Sequence, residues 1–293
     1  MNDLVSVIVP AFDRCTFIGQ ALDSILGQTY KHWEAVVVDD ASTDGTAQIV
    51  EEYSRIEPRI RLVRHGQRKG AQAARNTGIR VARGIWIAFL DSDDWWLPAS
   101  LEMRLQALAE KKVSVVHSEC YVLRPGSQEL QRFGVPPMQG QVYRELLRRP
   151  GPMFQGLLIS RELLTRFGHL DERIVSHQEW DTAIRLAKYS EFGFLPEPTF
   201  IYDCRHKGTI SEDSVLIATG YARVVRKHWR SILLYCGPVA LSSHAYTIAG
   251  LCRRTDDRRN ALLYFSLALL LWPFRPGALL RRAQGFFRLR DQV

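Results

Sequence analysis

Ile85-Trp86-Ile87-Ala88-Phe89-Leu90-Asp91-Ser92-Asp93-Asp94 is the stretch on which the fold turns. Six apolar residues in unbroken succession predict a strand buried on both faces. The run stops at three carboxylates within four positions. Acids crowded in this way repel one another, and holding them together is costly unless a cation or hydrogen-bond donors occupy the site. An acidic surface turn need not follow such a strand. Carboxylates delivered to one edge of a buried sheet instead suit Mg2+ or Mn2+ bridging a diphosphate.

Upstream the same unit recurs. Leu4 to Pro10 is a short β-branched run ended by proline, and Trp33 to Val38 is a second strand that breaks at Asp39-Asp40. Ile60 to Val63 is a third, so the opening stretch is the fourth. Helices are predicted between them, from Thr16 to Gln28, from the cap chemistry of Ser42-Thr43-Asp44-Gly45-Thr46 through Tyr53, and from Gly70 to Ala82. Strand and helix in alternation, with nearly continuous apolar strands, predict an α/β fold whose central sheet is mostly parallel and covered on both faces. Ligands bind beyond the carboxyl ends of such strands, and acids stand at two of those ends here.

Downstream, a helix is expected from Leu97 to Lys111 and a strand from Val113 to Val116. Arg124 to Pro152 is rich in Gly, Pro and Gln and predicts an irregular, substrate-facing insertion. Leu157 to Ile159 leads into a helix from Ser160, Glu179 to Lys188 is another, and Phe194 to Tyr202 is one more strand. Beyond Asp213 the pattern is helical. This divides the chain into a catalytic region, residues 1–213, and a helical extension, residues 214–293.

The chain of 293 residues carries 39 Lys and Arg against 31 Asp and Glu, a net of +8, and is 46% apolar. That composition excludes a disordered tail protein, a fibre and a multi-pass membrane protein. The charge is unevenly placed. Tyr221 to Val293 holds 13 basic and 3 acidic residues, a net of +10, which leaves −2 for the first 220. Five widely spaced cysteines without a CxxC pair predict reduced thiols, and Met1-Asn2-Asp3 has no basic n-region, so a cytoplasmic protein is expected.

Val5 to Pro10, Val37 to Thr46, Ala74-Arg75-Asn76-Thr77-Gly78 and Phe89 to Asp94 follow in an order that resembles the nucleotide-sugar-dependent family 2 glycosyltransferases of GT-A fold. The likeness covers residues 4–210. It implies a metal-dependent transferase that moves a sugar from a nucleotide diphosphate sugar, UDP-sugars favoured, to a hydroxyl with inversion. The implied setting is cell-surface polysaccharide synthesis, with Mn2+ or Mg2+ as cofactor. Pro10, Phe12, Asp13, Asp39 and Asp40 then belong to the nucleoside, Arg75 to the phosphate or base, and Asp91 to ribose or metal-bound water. Asp93 is the implied metal ligand, with Asp94 a second ligand or a helix cap and His206 reaching the diphosphate or metal. Many relatives carry Tyr-Asn where this chain has Phe12-Asp13, which keeps a stacking face and drops a hydroxyl.

The base is expected in His177-Gln178-Glu179-Trp180-Asp181, with Glu179 standing where relatives place Asp, one methylene longer. Asp181 is its rival. Two positions along a helix are about 200° apart, so both cannot face one acceptor. The helix dipole at its first turn is expected to favour the ionised form of Glu179.

The basic end admits two readings, a small helical subdomain or an anionic membrane surface bound through residues 221–293. Leu279, Leu280, Ala283, Phe286 and Phe287 recur at helical spacing, with Arg281, Arg282 and Arg288 mostly opposite. A glycan or lipid-linked acceptor at the inner face of the cell membrane fits the second. Nucleic acid explains none of the acidic strand ends. Two other functions compete: an inactive GT-A-fold scaffold in a polysaccharide assembly complex, and a nucleotidyltransferase. The latter favours a Gly-rich basic loop after the first strand, and Pro10-Ala11-Phe12-Asp13 is not one.

Overall fold

The computed structural model describes residues 3–205 and 213–273. His206 and the stretch from Leu279 to Arg288 lie outside them. The described residues form two units, one of 3–146 with 150–205 and the other of 147–149 with 213–273.

The first unit opens β1 (Val5–Ala11), α1 (Ile18–Leu26), β2 (Trp33–Asp39), α2 (Thr46–Ile56), β3 (Ile60–Arg64), α3 (Ala71–Val81) and β4 (Trp86–Phe89). It continues through β5 (Trp95–Trp96), α4 (Ser100–Lys111), β6 (Val115–Leu123), β7 (Gln131–Phe133) and α5 (Tyr143–Leu146). A 3-10 turn (Phe154–Gly156), β8 (Leu158–Ser160), α6 (Arg161–Phe167), α7 (Gln178–Leu186) and β9 (Phe192–Asp203) complete it. Among the described residues the sheet has nine strands in the order β3-β2-β1-β4-β8-β6-β9-β5, with β7 on β6. The half that carries the sequence motifs, β3 to β4, is parallel throughout. β8 then runs antiparallel to both β4 and β6, so the sheet as a whole is mixed.

Every residue of β1 is buried, and its side chains alternate between the two faces of the sheet. Val5, Val7, Val9 and Ala11 of β1 join one cluster with Ile18, Leu22 and Ile25 of α1, Val50 of α2 and Leu101, Leu105 and Leu108 of α4. Ile8, on the opposite face, meets α3 so closely that a Cβ on Gly78 would stand 2.4 Å from its Cγ2. Helices therefore cover both faces of β1, as the apolar runs predict. The expected irregular segment at 124–152 contains β7 and α5. The strand expected to stop at Val116 runs on to Leu123, because Glu119 to Leu123 pair with Pro198 to Asp203 of β9.

The second unit holds α8 (Ser214–Arg254), capped by Asp213, and α9 (Arg258–Leu271), capped by Asp257. α8 is interrupted at Gly237, whose φ of 79° is left-handed, ahead of Pro238. Proline removes a helical N–H and disfavours helical geometry in its predecessor.

Candidate active site

Parallel register sets the floor of the site. Ala11 pairs with Asp39 and Ile8 with Phe89, so the ends of β1, β2 and β4 open on one edge of the sheet. The loops leaving those ends carry Phe12-Asp13, Asp40 and Asp91 to Asp94.

On the nucleoside side the acids are tied inward. Fully buried Asp39 accepts from the Ser42 N–H at 3.2 Å and from Arg64 Nε at 3.2 Å. Asp40 accepts from the His65 ring at 2.6 Å and from the N–H groups of Lys69 and Gly70 at 2.9 and 2.6 Å. Both of its oxygens are thus spent closing the loop before α3, whose Gly70 has a φ of 95°. Asp13, itself left-handed at φ 49°, accepts from the Thr43 N–H at 2.9 Å, while its own N–H donates to Ser42 Oγ at 2.9 Å. Asp tolerates that backbone because its short side chain bonds locally. Pro10 is buried in β1, and half-buried Phe12 lies under the Arg68 guanidinium, 3.9 Å from its ring centroid.

The acidic turn divides into three environments. Asp94, 1% exposed, accepts from the Asp203 N–H at 2.9 Å and from Gln155 Nε2 at 2.5 Å. Burial, then the charges of Asp93 and Asp91, push its carboxyl well above the usual range. Asp91 accepts from Arg75 at 2.6 Å and from the same Gln155 amide at 2.8 Å. Asp93, its side chain 18% exposed, stands 3.4 Å from Arg14. Asp94 therefore binds the turn to the end of β9, and Asp91 and Asp93 are the members whose side chains stay partly exposed. Among the described residues no group of three or more His, Cys, Asp or Glu is gathered for a metal ion. Two carboxylates match the donor set of Mg2+ or Mn2+ when substrate phosphates complete the shell, so the residues fit such a cation without forming a cage for it.

Arg75 joins this turn to the segment of the expected base. It is 4% exposed, its NH2 donates to Asp91, and its NH1 donates to Gln178 at 2.7 Å and Gln72 at 3.2 Å. The guanidinium packs on the Phe154 ring, centroid 4.4 Å away. Glu179 follows Gln178 in the first turn of α7 and is half-buried, within electrostatic reach of Arg75 and Asp91. Its carboxyl is raised, burial outweighing a hydrogen bond from its own backbone N–H and the charge of Arg75. The dipole argument had the opposite sign, and desolvation is the larger effect here. Asp181 lies elsewhere, fully buried, 3.8 Å from Arg185.

Several groups were not foreseen. Gln72, Gln155 and Gln178 are buried amides that share out hydrogen bonds among the charged groups. Arg104, wholly buried, donates to the carbonyls of Gln155 and Leu157 at 3.1 and 3.2 Å and so fixes the turn that carries Gln155. Burial lowers its guanidinium to about 9. A signal existed for Arg104, which shares the apolar face of α4 with Leu101, Leu105 and Leu108.

The family model described as "Glycosyl transferase family 2" matches residues 6–164, more than half of the chain. The chain belongs to that family. WfgD of Escherichia coli, named as a UDP-Glc:alpha-D-GlcNAc-diphosphoundecaprenol beta-1,3-glucosyltransferase, is 36% identical over 57% of this chain and 64% of its own length. TuaG of Bacillus subtilis, named for teichuronic acid biosynthesis, is 37% identical over 44% of this chain and 52% of its own. This family 2 member thus matches about half to two thirds of the length of those relatives. Its fold is shared with S. aureus TarS 1-349 in complex with UDP-GlcNAc, at TM-score 0.71 and 21% identity over 98% of this chain and 88% of that one. It is shared too with the mannosyltransferase PcManGT of Pyrobaculum calidifontis in complex with GDP-Man and Mn2+, at TM-score 0.60 and 23% identity over 99% and 88%.

Proposed function

We propose that this protein transfers a sugar from a nucleotide diphosphate sugar, UDP-sugars favoured, to a hydroxyl of a glycan or lipid-linked acceptor with inversion. Cell-surface polysaccharide synthesis is the setting, residues 1–213 the catalytic domain, and the cytoplasmic membrane face the location. One observation carries the reading: Arg75 holds Asp91 with one nitrogen and the residue before Glu179 with another. An acid turn fit for a cation and diphosphate is thereby coupled to a carboxylate fit for a base. The relatives named for lipid-diphosphate acceptors support the acceptor class.

The chemistry follows from the side chains. Phe12, covered by Arg68 on one face, takes the base by stacking on the other, and Asp39 and Asp40 keep the surrounding loop in shape. Arg75 Nε and Gln72 Nε2, buried donors with no acceptor among the described residues, supply hydrogen bonds to the polar donor substrate. Asp93 with Asp91 would hold Mn2+ or Mg2+, which when bound offsets charge on the departing diphosphate. Glu179 takes the proton of the acceptor hydroxyl. The hydroxyl oxygen bonds to the anomeric carbon from the face opposite the diphosphate, whose bond to that carbon breaks. A single displacement of this kind inverts the centre. A burial-raised carboxyl is the better matched base near neutral pH.

Transfer from a panel of UDP-, TDP- and GDP-sugars to a polyprenyl diphosphate-linked N-acetylhexosamine, with Mn2+, tests the proposal. Asp93→Ala and Glu179→Gln are each expected to lower kcat by about 10²- to 10⁴-fold. Near-normal turnover in either would sink the assigned role. A wild-type protein that binds nucleotide sugar but neither transfers nor hydrolyses it would point to a scaffold.

A further inference from the structure

The second unit carries a surface that the transfer chemistry does not use. α8 buries one face, with Ala218, Tyr221, Val224, Val225, His228 and Ile232 inside. At 100° per residue the opposite face bears Arg223, Arg226, Lys227 and Arg230, all exposed, and then Leu233 and Leu234, 39% and 77% exposed. Trp229 and Tyr235, 43% and 46% exposed, flank the change from basic to apolar, and the Arg230 guanidinium sits 5.5 Å from the Trp229 ring. Beyond the break at Gly237, Val239 is 44% exposed. Ser242 Oγ donates to the Ala268 carbonyl at 2.8 Å, which brings the end of α9 beside this break. Exposed Leu267 and Leu270 thereby extend the apolar end.

We propose that this face lies on an anionic lipid bilayer, with the leucines at the acyl boundary and the basic side chains among the headgroups. Spacing and charge argue for lipid over a protein partner. Four residues of helix separate Arg230 from Leu234, about 6 Å, and seven separate Lys227 from it, about 10 Å. On a helix lying in the interface plane these are distances along the surface, so basic and apolar side chains meet one bilayer side by side, the basic ones at headgroups and the leucines reaching toward acyl chains about 5–10 Å deep. Trp and Tyr at the change of polarity are the side chains that favour that boundary. α8 is long and apolar enough by composition to cross a membrane, yet one of its faces is packed inside its own unit and its backbone breaks at Gly237. Lying on the surface satisfies both facts.

The test is co-sedimentation of the full chain with vesicles of phosphatidylglycerol and phosphatidylethanolamine, against phosphatidylcholine alone. Binding is expected to be at least about tenfold tighter to the anionic vesicles, to weaken with salt, and to be reversed by a high-salt wash. Replacing Leu233, Leu234 and Leu270 together by serine should weaken it at least about tenfold, with the thermal midpoint within a few degrees of wild type. Arg226→Gln with Arg230→Gln should remove the preference for anionic lipid. Trp229→Phe should delete the blue shift that vesicles induce in the fluorescence. The proposal is overturned if the wild type stays in the supernatant or if the triple serine variant pellets as wild type does. It is also overturned if the serine variant binds vesicles normally but breaks an oligomer, which would make the face an interface between copies. Binding is read without any sugar donor, so it stands or falls separately from the transfer reaction.

Discussion

Gln155 shows how much one uncharged side chain carries. Its amide donates to Asp91 and Asp94 at once, while the backbone carbonyl of the same residue accepts from Trp96 Nε1 and Arg104. Gln155→Leu removes both amide donors between like charges while keeping much of the bulk. Unfolding by denaturant should show a loss of about 2–4 kcal/mol, since hydrogen bonds to charged groups contribute about 1.5–3 kcal/mol each and the two are not additive. Glu179 makes a prediction in pH. A carboxyl raised by burial stays protonated, and useless as a base, to a higher pH than an exposed glutamate near about 4.3. The acid limb of kcat should therefore lie above that value. Ionising the group opposes folding, so its stabilising effect is complete below the ordinary value and is lost as pH rises through the raised one. Glu179→Gln should then lower kcat as above yet leave the thermal midpoint at neutral pH equal to or above that of wild type.

Among the elements, α3 does the most positioning. Its Gly78 is required by the approach to Ile8, and a Cβ there would meet that side chain at 2.4 Å. Gly78→Ala should cost about 1–3 kcal/mol by overpacking, measured by equilibrium unfolding. Asn76, next to Arg75, accepts from the Leu170 N–H at 2.9 Å and donates to the Leu170 carbonyl at 3.0 Å and to Glu172 at 2.8 Å. It thus tethers the segment leading into α7. Asn76→Ala should slacken that segment and lower kcat more than it raises KM for the nucleotide sugar, because Glu179 moves while the nucleoside loops stay put. The Ala74 to Gly78 motif was legible in the sequence, but only Arg75 was given a role. Asn76 and Gly78 act through partners as far away as position 170.

At the scale of the whole molecule, the described carboxylates offer a cation two ligands and no cage. Mn2+ alone should shift the thermal midpoint little, and Mn2+ with UDP should shift it strongly. Saturation at a hundred times the dissociation constant corresponds to about 2.7 kcal/mol of added stability. EDTA should remove the nucleotide-dependent shift without unfolding the protein. A large shift with Mn2+ alone would mean a preformed site and would count against shared coordination by the substrate. The net charge of +8 concerns a different matter, because the first 220 residues are nearly neutral and the excess belongs to the part that holds α8 and α9.

Local pattern was enough to place the acids at the carboxyl ends of buried strands. Apolar runs of strand length, broken by acids at Asp39-Asp40 and Asp91 to Asp94, dictate buried parallel strands with carboxylates at their ends, and both properties are written in adjacent residues. Which of those carboxylates are tied inward and which stay partly exposed was decided only by tertiary contacts. Asp94 turns inward because its partner is the backbone of Asp203, 109 positions away, and Asp91 is fixed by Gln155, 64 away. The link from Arg75 to Gln178 spans 103 positions. Hydrogen bonds between groups so distant leave no periodicity or spacing in the chain, so the amides that order the site become visible only once the sheet has brought its strand ends together.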